Sequence, residues 1–208
     1  MGTNYNGATN MDYSTESPFS VVEGNWMKSL PDINAITAGQ ETMPLLNAAS
    51  TSVVISTGNL RLTYFTATRA EAVTKCSVYT GGVAAGATPT VCRMALYKVE
   101  ANGDLTEVAT TPNDTTLFAA TFTAYTKSFS APYTLVKGQR YAIGICVVTA
   151  AATPTFVGFA YPSVANLAFT NTPRLAALVG SLTNLPASPI LNAGLSASSM
   201  AFYVQVLP

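Results

Sequence analysis

The chain has 208 residues, of which 10% are charged and 49% hydrophobic, and its ten Lys and Arg are balanced by ten Asp and Glu. Soluble proteins carry about 25% charged residues; a neutral chain without a basic cluster lacks the field that nucleic-acid binding rests on, and no apolar run approaches the ~18 residues of a membrane span. The chain has no histidine, which excludes Ser-His-Asp and Cys-His nucleophiles and histidine metal sites together.

Residues 1–50 are rich in Asn, Thr, Ser and Gly and show no sustained period, the pattern of an extended arm. Residues 1–17 have neither a basic start nor an apolar leader core, so export by that route is not expected. The arm nevertheless carries Phe19, Val21, Trp26, Leu30 and the run Met43-Pro44-Leu45-Leu46, apolar side chains that a solvated tail does not need. Trp26, Met43, Leu45 and Leu46 are therefore candidate anchors. Two readings stand: the arm docks on a neighbouring subunit, for instance by adding a strand to its sheet, or it folds back on its own domain.

From residue 51 to 208 short β-prone runs recur between turn residues. Strands are predicted at 52–56 and 59–66, broken at Gly58, and at 73–80, followed by a Gly- and Pro-rich loop over 81–89 that cannot join a ladder. Residues 91–99 lead into Asn102-Gly103, which supplies the positive φ of a tight hairpin, and 105–110 return. Beyond the polar loop 111–116, a strand over 125–130 reaches the turn Lys137-Gly138-Gln139 and the strongly apolar run 141–148. Both faces of that run are apolar: Tyr141, Ile143, Ile145 and Val147 on one, Ala142, Gly144, Cys146 and Val148 on the other. That pattern suits a strand covered on both sides. A strand at 155–159, an irregular stretch over 160–199 with a short helix at 173–179 opened by proline, and a last strand over 200–206 complete the chain. The fold class expected is all-β: a jelly-roll-like sandwich of about eight strands with an extended N-terminal arm.

Cys76, Cys92 and Cys146 contain no C-x-x-C pair and read as small core residues of a reducing cytoplasm. A cross-strand Cys76–Cys92 pair is the alternative if the strands flanking residues 81–89 form a hairpin. Glu71, Glu100, Asp104, Glu107 and Asp114 fall at strand ends and in turns, where carboxylates are usually solvated rather than paired for glycoside hydrolysis. The loop 112–116 offers oxygen ligands for calcium, but an Asx or Ser/Thr turn bonding to its own backbone is the commoner use of these residues. No catalytic, cofactor or metal residue is assigned. Tyr125, Tyr133 and Tyr161 lie near predicted loops and could stack on a sugar ring, while tyrosines at a subunit interface are the commoner case. The low charge also fits a chain that packs against copies of itself or other subunits.

Five segments carry a resemblance: LRLTYFTATRAE (60–71), GGVAAGATPTVCRMALYKVEANGDL (81–105), ATTPNDTTLF (109–118), KGQRYAIGICVVT (137–149) and PRLAALVGSLTNLPASP (173–189). Together they resemble the β-sandwich domain of virion proteins from phages of actinobacteria, often found at the C-terminus of minor tail proteins. The resemblance implies a non-enzymatic virion structural protein without a cofactor, either a minor tail protein or a capsid decoration or fibre protein. Its partners would be capsid or tail subunits, with contact to host surface glycan as the alternative role; self-association, expected from the low charge, is taken as a trimer. It implies assembly in the bacterial cytoplasm and residence in the virion.

Overall fold

The run with two apolar faces lies at the middle of the molecule. The protein's structure, a computed structural model, describes residues 39–44, 47–48, 50–160 and 174–208, all in one compact unit that begins at Ala38. Strand β3 (Asn59–Thr66) and strand β5 (Pro89–Val99) flank β8 (Arg140–Thr149), both antiparallel to it. Tyr141, Ile143, Ile145 and Val147 of β8 enter the main core, whereas Ala142 and Cys146 enter a second cluster with Leu60, Leu62, Ala95 and Tyr97. The alternation read from the sequence is thus the division between two cores.

The outer neighbour of β5 is β6 (Leu105–Thr110), reached through the Asn102-Gly103 hairpin, where Gly103 takes φ +87°. Facing this layer, β4 (Glu71–Tyr79) pairs with β7 (Ala124–Leu135), and β2 (Ser50–Val54) pairs with β9 (Thr155–Ala160). The two pairs meet where Thr80 bridges Phe156 and the Gly81 N–H donates to the Thr155 carbonyl at 2.7 Å. The layers therefore run β2–β9–β4–β7 against β3–β8–β5–β6, the strand order of an eight-stranded jelly roll. Val53, Val73, Val78, Leu96, Phe129 and Phe156 fill the space between them.

Away from the bridge, β9 and β4 diverge, and the end of the chain enters the gap. β12 (Met200–Phe202) pairs with β9, the Tyr203 N–H donates to Val157 at 2.9 Å, and β13 (Val204–Leu207) crosses over to pair with β4. The sequence predicted one continuous strand over 200–206; it is split at Tyr203 because it serves two partners in turn. β1 (Gln40–Glu41) completes this edge against β13.

Residues 176–179 overturn the expected helix over 173–179, whose first residue lies outside the described residues. They form β10 (Ala176–Val179), which pairs with β3 on one side and with β11 (Ser196–Ala197) on the other. The free edge of β3 offers unpaired N–H and C=O groups, and satisfying them outweighs the modest helix preference of Ala-Ala-Leu. Between these strands the chain folds over the outer face of the β3–β8–β5 layer and lays Leu182, Leu185, Ile190 and Leu195 on it. Ile190 and Leu105 exchange backbone hydrogen bonds of 2.8 and 2.9 Å that fix this cover.

The alternative of a Cys76–Cys92 pair is also overturned. Cys76 on β4 stands opposite Lys127 and Val206, whereas Cys92 on β5 stands opposite Val147, so the two belong to opposite layers. All three cysteines are free and buried, and Cys76 Sγ packs 3.7 Å from Met94 Sδ. Burial pushes the Cys92 thiol up to about 12 and that of Cys146 to about 11, so neither is a nucleophile at neutral pH.

Two glycines make close strand packing possible, with unequal tolerance. A Cβ on Gly144 would lie 2.6 Å from Leu60 Cδ1 and 3.1 Å from Leu62 Cδ2, side-chain ends that can rotate away. A Cβ on Gly158 would fall on the Ala201 carbonyl oxygen and 2.6 Å from the Phe202 Cα, which are backbone atoms of the paired β12. Gly144→Ala is expected to destabilise by about 1–3 kcal/mol and Gly158→Ala by more than that, because only the second change must separate two strands. Urea unfolding of both variants would check the order.

Candidate functional site

Of the candidate anchors, Trp26, Leu45 and Leu46 lie outside the described residues. Met43 is half-buried and lines a cleft of about 390 Å³ with Thr63, Tyr64, Phe159, Leu175 and Ala201. The neighbouring residues 39–42 fold back on their own sandwich through β1. Gln40 is buried and bonded at both ends of its amide, with its Nε2 donating to the Arg69 carbonyl at 3.0 Å and its Oε1 accepting from the Thr68 N–H at 2.8 Å. Arg69 in turn pairs with Glu71 at 3.2 Å and donates to the Gly39 carbonyl at 2.6 Å.

Of the three tyrosines considered for glycan contact, Tyr161 lies outside the described residues. Tyr125 and Tyr133 stand on one strand, β7, on the face that carries Phe129 and Leu135 into the core. The ring of Tyr125 meets Phe118 edge-on at 5.6 Å, and its hydroxyl accepts the Ala120 N–H at 2.7 Å. Tyr133 packs edge-on against Tyr141 at 6.0 Å, and burial together with that neighbour pushes its hydroxyl up to about 12. Register separates them, Tyr125 opposite Val78 and Tyr133 opposite Val73, so they do not form a shared platform.

The loop 112–116 closes on itself as expected. Asp114 Oδ1 accepts from the Thr116 N–H at 3.0 Å and its hydroxyl at 2.6 Å, and Lys127 Nζ holds Oδ2 at 2.6 Å. The Asn113 amide ties the loop to β5, its Oδ1 accepting the Cys92 N–H at 2.9 Å. Among the described residues no three His, Cys, Asp or Glu side chains gather as a metal site.

Two surfaces have the character of binding sites. The first is the free edge of the β1–β13–β4–β7 sheet, formed by β7. Its exposed residues, Ala124, Thr126, Ser128, Ser130, Ala131, Pro132 and Thr134, include no charge. Natural edges are commonly protected by charge or proline; here Lys127 points inward to Asp114, and Pro132 with the register shift between Val73 and Lys75 interrupts only the second half. Residues 124–130 are left as a strand whose exposed side chains are uncharged and whose outer pairing side has no partner among the described residues.

The second is a cleft of about 360 Å³ where the β5–β6 hairpin tip, the start of β8 and residue 174 converge, lined by Tyr64, Glu100, Asn102, Arg140, Arg174 and Asn192 among others. The Arg140 guanidinium carbon lies 5.2 Å from the centroid of the Tyr64 ring, and an Arg140 N–H donates to the Arg174 carbonyl. Arg174 donates to the Leu195 carbonyl at 3.0 Å, while its Nε is buried without a partner. Burial pushes the Tyr64 hydroxyl up to about 12, against the opposing pull of both arginines, and burial lowers Arg140 from its ordinary value. Neither arginine was singled out from the sequence. The signal available was the acid distribution: no Asp or Glu follows Asp114, so the cations beyond it have no acid near them in the chain.

Comparison with known proteins gives no relative to lean on: neither a protein-family profile nor a curated protein matches the chain.

Asp114 gives a pH test of the loop. Lys127 foremost, then the hydroxyl and N–H of Thr116, hold its carboxyl down to about 2. A carboxyl lowered from an unfolded value of about 3.9 stabilises the fold above that pH and loses its contribution as pH falls through the folded value. Asp114→Asn is expected to lower the Tm at pH 7 by about 2–4 °C, for a pair worth up to about 1 kcal/mol. It should also flatten the decline of Tm between about pH 4 and pH 2, which a series of melts over that range would reveal.

Proposed function

We propose that this chain is a non-enzymatic structural protein of a bacteriophage virion, a minor tail protein or a capsid decoration or fibre protein. It works as a homo-oligomer attached to other virion subunits. The observation that carries this reading is the edge strand β7, whose exposed Ala, Thr and Ser carry no charge and whose outer pairing side has no partner among the described residues. An edge of this kind suits permanent contact with another chain better than life as a solvated monomer. The 10% charge of the whole chain supports the same reading, and the five segments that resemble phage virion domains support the location. Three of the described carboxylates are engaged in structure: Glu71 with Arg69, Glu100 with Lys98 and Thr106, Asp114 with Lys127.

Attachment falls to the residues before the sandwich, with copies packing through the β7 edge. Placing lysines at Ser128 and Ser130, both exposed, is expected to reduce self-association in sedimentation velocity without lowering the Tm. Unchanged association would remove the edge from the reading. For attachment, the full chain and a version lacking residues 1–37, which keeps β1, would be sedimented with capsid and tail subassemblies that lack the protein. Only the full chain is expected to pellet with one of them; equal binding by both would place attachment on the sandwich instead.

A further inference from the structure

The cleft of Arg140 and Arg174 has no role in that reading, and its charge is unbalanced. A guanidinium carries five N–H donors, and among the described residues each of these two has a single hydrogen bond, to a backbone carbonyl. No described carboxylate pairs with either. Glu100, at the rim, is held by Lys98 Nζ and the Thr106 hydroxyl, both at 2.9 Å. Asp104 accepts from the Asn102 amide at 2.8 Å and from the Asn192 N–H at 2.7 Å. Glu41 receives Tyr203 and Gln205, and Glu71 and Asp114 pair with Arg69 and Lys127. Two cations facing one cleft without a counter-charge are costly unless an anion joins them.

The cleft wall narrows the kind of anion. The Arg140 guanidinium carbon lies 5.2 Å from the Tyr64 ring centroid and one of its N–H groups donates to the Arg174 carbonyl, which leaves further donors of the fork, the group that grips a planar carboxylate with two parallel bonds, for a ligand. Opposite, Asn192 uses its Nδ2 in a 3.3 Å bond to the Asn102 carbonyl and leaves Oδ1 to accept from a hydroxyl. A volume of about 360 Å³ lies within the range of small-ligand sites. We propose that this cleft binds a carboxylate carried on a hydroxylated ring, the chemistry of a uronic acid in an acidic polysaccharide: Arg140 and Arg174 take the carboxylate, and Asn192 and the hairpin tip take the hydroxyls.

The test is calorimetric titration of the full chain with glucuronate, glucose and inorganic phosphate at matched ionic strength. Saturable binding of glucuronate, at least about tenfold tighter than glucose and phosphate, is expected. Arg174→Gln removes one charge-assisted contact and is expected to weaken glucuronate about tenfold or more. Asn192→Asp, which adds a carboxylate without changing size, should weaken it comparably by repulsion, while both variants keep the parent's Tm within a few degrees. The absence of saturable glucuronate binding, equal binding of glucose, equal binding of phosphate, or indifference to both substitutions would each overturn the assignment. Because the readout is affinity for a small molecule, it fails or succeeds separately from attachment to a particle.

Discussion

Burial of both faces of the β3–β8–β5 ladder is the constraint on which the rest of this structure depends. A sandwich needs only one face of each sheet covered, and here the second face carries Leu60, Leu62, Tyr97 and Cys146, all fully buried. Leaving a leucine exposed forfeits roughly 1.5–3 kcal/mol, so the chain must supply a lid, which it does with the Pro-rich segment between β10 and β11. That segment has no regular ladder of its own. It is held by apolar contact and by the Leu105–Ile190 backbone exchange. The same lid brings Asn192 over the rim of the layer, where the pairing of β10 with β3 also places Arg174, so the cationic cleft is a by-product of covering this layer.

The opposite layer solves a different problem. In a jelly roll β9 and β4 are neighbours along their length, but here they share only one bridge before parting. The divergence would leave two rows of backbone donors and acceptors unpaired, each expensive if buried. Inserting the end of the chain satisfies β9 first and β4 next, and small contacts make the transfer exact in register: Thr63 Oγ1 accepts the Phe202 N–H at 3.0 Å, and Thr42 Oγ1 accepts the Val204 N–H at 3.0 Å. β1 then covers the outer side of β13. The edge that remains open is β7, on the far side of the same sheet.

Charge placement follows from these two solutions. With few charges in the chain, nearly every described carboxylate has a nearby partner that fixes a turn or a strand start, as Glu71 does for β1 and Asp114 for the loop after β6. Such pairs add little individually but set local geometry. What is left over is informative: an edge without exposed charge on one layer and, at the rim of the other, two arginines that share a cleft with no carboxylate paired to them among the described residues. The two proposed contacts, with protein at the first and with an anion at the second, draw on different residues.

The sequence by itself determined the properties that consecutive residues control. Alternation along 141–148 showed that β8 would be covered twice, Asn102-Gly103 placed a hairpin because positive φ is cheap there, and the lack of histidine removed whole classes of chemistry. Local bonding of the 112–116 loop was legible for the same reason, since Asp114 reaches its own neighbours. Only the tertiary structure decided which strand lies beside which. Cys76 and Cys92 flank one loop yet lie in opposite layers, because the chain there crosses between sheets rather than turning back within one. Residues 176–179 became a strand because β3 had an edge to fill, a demand that no local propensity encodes. Arg140 and Arg174, separated by 34 positions, meet because β8 and β10 pair with the two sides of β3; that arrangement depends on which strand had an edge to fill, and spacing along the chain carries no record of it.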